Sequence, residues 1–105
     1  MNTQYLGRVY AMQIKQWQSG VPVKVFTRSP KSDLHREFVI SKLKIQPHQL
    51  ERYWNRLIFT GTGRSPTVVD SEQEMIEMII NTPGAIGYIS EKRLLGNLKV
   101  IQVVQ

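Results

Sequence analysis

The chain has no cysteine. Disulfides, thiolate metal sites and cysteine nucleophiles are therefore excluded, while the compartment stays open, because many exported proteins also lack cysteine. Histidine is scarce. His35 and His48 are the two in the chain, and neither has a carboxylate or a second histidine at metal-ligand spacing. No metal site is expected, and each histidine reads as a surface residue of a helix. Long apolar runs are missing as well: none approaches the roughly 18 residues of a spanning helix, and Met1 to Trp17 lacks a signal-peptide core. No membrane span is expected, and any export signal would lie outside this chain or have been removed. Repeats, low-complexity tracts and linkers are absent from the 105 residues. Residues 1–105 accordingly read as one domain, large enough to bury a single core.

Negative charge is the last shortage. The chain carries 8 acidic residues against 14 lysines and arginines, a net charge of +6. Such a surface attracts anions from phosphate to nucleic acid. No basic run is dense enough for a nucleic-acid arm and the aromatics fall in apolar patterns, so nucleic acid is not an expected partner. Catalytic signals are equally thin. Nothing like a nucleophile elbow surrounds the serines, and no Ser/His/Asp arrangement can be read out. The stretch "GTGRSP" (61 to 66) is glycine-rich but lacks the Lys-Ser/Thr of a phosphate loop, and it reads as a connector. Neither an enzyme nor a cofactor is expected.

Hydrophobic periodicity supplies the elements. Met1 to Gly7 reads as the end of a helix stopped by Gly7, and Arg8 to Gly20 as an irregular stretch anchored by Met12 and Trp17. Val21 to Thr27 alternates like a strand. Ser32 to Leu43 reads as a helix with Leu34, Phe38 and Ile45 near one face. Pro47 suits a first helical turn, and Leu50, Tyr53, Trp54, Leu57 and Ile58 then form a continuous apolar stripe assigned to packing. Gly61 and Gly63 break that helix, and Val68–Val69 is a short extended piece. Ser71 and Glu74 make a capping box ahead of Met75, Ile76, Ile79 and Ile80, in a helix ended by residues 81–84. "GAIGYI" (84 to 89) and "LKVIQVV" (98 to 104) read as strands. The second is apolar enough to need a neighbouring sheet, from its own chain or another's, which makes self-association or a protein partner through the C-terminal strand an expectation. Strands interleaved with helices give an α/β fold with a small mixed sheet packed with helices.

One corner carries candidate chemistry. In "TRSPKSDLHREF" (27 to 38) a strand ends at Arg28 and a helix opens near Ser32. The free first-turn amides of Asp33, Leu34 and His35, the positive end of the helix dipole and the Arg28 fork are the ingredients of an anion site. The same pattern also reads as a plain strand-to-helix corner in which Ser29 or Ser32 caps the helix and Arg28 is solvated. Asp33 repels an incoming anion.

Several stretches line up in order with one family. "YLGR" (5 to 8), "WQSGVPVKVFTR" (17 to 28), "SDLHREF" (32 to 38), "YWNRLIFTGTGRSP" (53 to 66) and "PGAIGYI" (83 to 89) together resemble the periplasmic phosphate-binding proteins of ABC transporters. The resemblance implies about one lobe of a type II periplasmic-binding-protein fold, a periplasmic or exported location, and phosphate or another small oxyanion as ligand. Family members that bind phosphate use an arginine followed four residues later by Ser-Gly-Thr. Arg28 and Ser32 match the arginine and serine, whereas Asp33 and Leu34 stand where glycine and threonine are expected. The implied ligand-binding residues are thus Arg28, Ser32, Asp33 and Leu34, in a non-enzymatic solute-binding domain of phosphate uptake with weakened binding. The alternative is an interaction or structural domain that kept the fold without the ligand.

Overall fold

The computed structural model describes residues 3–61, 66–90 and 98–102, the last group as backbone. The helix α1 spans Thr3–Tyr10 and runs straight through Gly7, where the sequence predicts its stop. Leu6, Val9 and Tyr10 are all buried, and that burial outweighs the roughly 1 kcal/mol that a glycine costs inside a helix. The turn comes later, where Met12 takes a left-handed φ of 63°. Trp17 then anchors the irregular stretch: it is buried, and its indole N–H donates to the Gly84 carbonyl at 2.9 Å.

The strand β1 is Lys24–Arg28, and α2 covers Asp33–Phe38. The single helix expected over Ser32 to Leu43 widens into a π-helical turn at Val39–Leu43, closed by Lys44 in the left-handed region. The widening leaves Val39 and Leu43 both buried and turns Ile45, expected on the core face, out to solvent. Next comes α3, Pro47–Thr60, with Pro47 in the first turn and the Gln46 N–H donating to Gln49 Oε1 at 2.9 Å. Gly61 ends it with a φ of 72°, and Gly63 lies outside the described residues. Leu50 and Trp54 of the expected stripe are buried and Tyr53 packs against them, but Ile58 at its far end is exposed.

The short strand β2 is Thr67–Val69, and α4 is Glu72–Ile80. Ser71 Oγ caps α4 by accepting the Glu74 N–H at 3.0 Å. Met75 and Ile79 go into the core, whereas Ile76 and Ile80 face water. The strand β3, Ala85–Ser90, is the most buried element, and β4, Leu98–Gln102, follows. Residues 103 and 104, expected in this strand, lie outside the described residues.

These strands form one four-stranded mixed sheet in the order β2-β1-β3-β4. β1 is parallel to both β2 and β3, and β4 is antiparallel to β3, with Tyr88 opposite Val100. The apolar C-terminal strand thus finds its neighbouring sheet in its own chain. Side chains alternate across the strands, so the sheet has two cores. Val25, Ile86 and Tyr88 face a large cluster with α1, the π turn and α3, including Leu6, Phe38, Leu50 and Trp54. Phe26 and Ala85 face a smaller one with Val69 and with Met75 and Ile79 of α4. This is a small mixed α/β domain with helices on both faces of its sheet.

Two consequences are measurable. Trp54 fills the larger core and donates its indole N–H to the Tyr10 carbonyl at 2.7 Å. Trp54→Ala is expected to destabilise the domain by about 3 to 5 kcal/mol, read as a lower urea midpoint; an unchanged midpoint would remove Trp54 from the core. Gly84 sits at a φ of 79°, and an added Cβ would lie 2.1 Å from the Pro22 carbonyl oxygen. Gly84→Ala should therefore lower the thermal midpoint by several degrees, whereas Gly20→Ala, with open space around its Cβ position, costs strain alone.

Candidate functional site at the carboxyl end of the central strand

The crossover from β1 to β2 leaves one side of β1, and the return from β2 to β3 passes to its other side. In such a sheet the crevice opens beyond the carboxyl ends of the strands where the direction reverses, here β1 and β3. Thr27 and Arg28 end β1 at this point, and Tyr88 lies near the end of β3.

The polar core of the region joins Thr27, His35 and Tyr88. Tyr88 is fully buried, and its hydroxyl lies 2.8 Å from Thr27 Oγ1 and 2.8 Å from His35 Nδ1. It also accepts the Arg28 backbone N–H at 3.0 Å. Thr27 Oγ1 and His35 Nδ1 are 3.1 Å apart, which closes a triangle joining β1, α2 and β3. His35, expected on the surface, is fully buried, because α2 lays it on the face that also carries Phe38. Its Nε2 has no hydrogen-bond partner among the described residues. The i, i+3 spacing of His35 and Phe38 was the available signal for that burial. For Tyr88 it was a phenol in an otherwise apolar strand, whose buried oxygen must find partners.

Burial sets the protonation of these groups. It lowers the His35 pKa from its ordinary value, favouring the neutral imidazole. Burial also raises the Tyr88 phenol, and the Thr27 hydroxyl, the Arg28 amide and the Arg28 charge pull it partly back. Tyr10, whose hydroxyl donates to the Phe26 carbonyl at 3.0 Å, is raised well above its ordinary value by burial, with nearby Tyr88 adding to the effect. Both phenols are therefore neutral hydrogen-bonding groups.

The four residues of the expected anion site meet mixed fates. Arg28 is half-buried, and its Nη2 donates to the Asp70 carbonyl at 3.2 Å, so the fork leans toward the end of β2 instead of toward α2. Its Nε is buried without a partner, and no carboxylate among the described residues pairs with it. Ser32 occupies the N-cap position in extended geometry, yet its hydroxyl makes no capping bond. Ser29 ties the corner in its place, accepting the Lys31 N–H at its hydroxyl and the Ser32 N–H at its carbonyl. Asp33 points into solvent, and Leu34 packs its side chain against the larger core, so those two positions can offer only backbone amides. The N–H groups of Asp33, Leu34 and His35 donate to no acceptor among the described residues. Arg64 of the glycine-rich stretch lies outside the described residues. His48 is exposed, as expected.

Among the described residues no group of three histidines, cysteines or carboxylates gathers as a metal site, and no helix is long and apolar enough to cross a membrane. No protein-family model matches the chain, and no curated protein matches its sequence.

Neutral His35 sets a pH dependence. Its folded pKa lies below the unfolded value near 6.5, so the unfolded chain binds the extra proton first as pH falls. Stability should be constant just above about pH 6.5 and decline below it, toward the lowered folded pKa. Denaturant unfolding at steps from pH 7.5 to 5 reads the decline. His35→Gln should flatten it, and an equal slope in both proteins would mean that His35 is not its source.

Proposed function

We propose that this domain binds a small tetrahedral oxyanion of the phosphate class, weakly and without chemical conversion, at the carboxyl end of β1. The observation that carries the reading is the half-buried Arg28 guanidinium, whose Nε lacks a partner and whose charge no described carboxylate neutralises. A guanidinium held in that state is a ready fork for an oxyanion. The uncapped Ser32 hydroxyl and the first-turn amides of Asp33 and Leu34 are donors of the right kind beside it in the chain. The sequence resemblance to phosphate-binding proteins of ABC transporters supports the same ligand class, together with a solute-binding role in phosphate uptake and a periplasmic or exported location. Asp33 works against the anion, and Leu34 lacks the hydroxyl that a threonine would add.

Affinity on the order of millimolar, about 4 kcal/mol, is the expected outcome. Phosphate titration followed by heteronuclear NMR should shift amides of residues 28 to 36. Arg28→Ala should abolish those shifts. Asp33→Gly combined with Leu34→Thr should tighten binding by about tenfold or more, since a hydrogen bond to a charged group contributes about 1.5 to 3 kcal/mol. If the double variant stays folded and binds no better than wild type, the corner is a helix start and nothing further.

A further inference from the structure

Charge is segregated between the two layers of helices, and both layers expose large apolar side chains. The stretch that builds β2, α4 and β3, residues 67–90, contains no lysine or arginine, and its carboxylates are Asp70, Glu72, Glu74 and Glu77. On the opposite side of the sheet, α3 turns Arg52 and Arg56 to solvent. Those two residues and Phe59 fall at i, i+4 and i+7, on the face away from buried Leu50 and Trp54. One carboxylate, partly buried Glu51, stands at the margin of that face.

Each face also holds large apolar side chains in water. Phe59 is 92% exposed in the last turn of α3, in line with Arg52 and Arg56, and its neighbour Ile58 is exposed as well. On α4, Ile76 and Ile80 form an exposed pair one turn apart, beside exposed Glu77, with Ile80 at 65%. Neither arginine pairs with a carboxylate among the described residues. Single apolar side chains on a surface are ordinary, but here each face groups them, Phe59 with Ile58 on α3 and Ile76 with Ile80 on α4, next to charge of opposite sign.

We propose that the occupant of the α3 face is the α4 face of a second copy of this chain. Phe59 packs on Ile76 and Ile80, and Arg52 and Arg56 meet Glu77, the exposed carboxylate of α4. A polyanion would suit the α3 face alone and would leave the acidic, apolar α4 face unexplained. A second copy accounts for both. The two faces lie on opposite sides of one sheet, so the contact cannot be self-complementary. It is heterologous, and each added copy leaves one free α3 face and one free α4 face. Assembly therefore passes the dimer, into a filament or a closed ring according to the rotation between copies, and the flanking charges make it sensitive to salt.

Sedimentation velocity and light scattering of the full chain over a concentration series, at low and high salt, test this. Wild type should grow beyond dimer at low salt and dissociate at high salt. Two variants change exposed positions and should keep the wild-type circular dichroism: Arg52→Glu with Arg56→Glu and Phe59→Ser blocks the α3 face, and Glu77→Lys with Ile80→Lys blocks the α4 face. Each alone should be monomeric, and their equimolar mixture should form a 1:1 heterodimer that does not grow. Wild type that stays monomeric throughout the series overturns the proposal. So does a closed dimer that survives in both variants, or a mixture that forms no heterodimer. A monomeric wild type whose Arg52 and Arg56 instead bind a single-stranded oligonucleotide gives the α3 face to nucleic acid and overturns it too.

Discussion

The buried hydroxyl of Tyr88 is the constraint around which the rest is arranged. A phenol oxygen removed from water without partners costs on the order of 1 to 3 kcal/mol, and this one is surrounded by polar groups from two other elements. Thr27 Oγ1 and the Arg28 amide come from β1, and His35 Nδ1 from α2. Satisfying one oxygen thus sets the spacing of β3 from the end of β1 and the docking of α2 across both. The ring extends the same control into the apolar core. Phe38 stacks on it with centroids 3.9 Å apart at 9°, and Tyr10 meets Phe38 at 4.9 Å. Trp54 and His35 complete the aromatic group with centroids 6.3 Å apart.

That polar triangle lies immediately beneath the strand ends where the crossovers diverge. The Arg28 amide is held by Tyr88, so the backbone at the corner is anchored while the Arg28 guanidinium stays free of any described carboxylate. A tethered backbone carrying an unneutralised guanidinium is the physical basis of the proposed anion site. The lean of the fork toward the Asp70 carbonyl and the packing of the partly buried Leu34 side chain against the larger core both leave the corner short of donors.

The two faces of the sheet are unequal, and glycine accounts for part of the difference. On the α4 side an added Cβ at Gly87 would come within 2.5 Å of Ile79 Cδ1 and 2.6 Å of Met75 Sδ, so the helix rides directly on bare backbone. Close approach lets a single helix seal a small core, but it sends Ile76 and Ile80 outward. Glu72 reinforces the seat by accepting the Ser90 N–H, which joins the start of α4 to the end of β3. The α3 side is thicker, because α1 and the π turn lie within the same cluster as α3.

Local chemistry made much of this legible from sequence. Pro47 and Gly61 bracket α3, Ser71 caps α4, and the apolar run of "GAIGYI" identifies the most buried strand, because capping, proline geometry and hydrophobic periodicity act within a few residues. Leu50 and Trp54 were likewise readable as core from their spacing. Tertiary packing decided the rest. Gly7 continues a helix because Val9 and Tyr10 are buried beyond it, and the helix after Phe38 widens where Val39 and Leu43 must both bury. Ile58, Ile76 and Ile80 fit an apolar stripe by period yet face water, since period defines a direction and not the width of the surface that covers it. His35 and Tyr88 were missed as a pair because 53 residues separate them, and no local rule links a histidine in one helix to a phenol two crossovers later. Arg28 could be placed at a strand end from sequence. Whether its charge would be neutralised depended on which carboxylates the sheet order brought near, and that is a property of the folded chain alone.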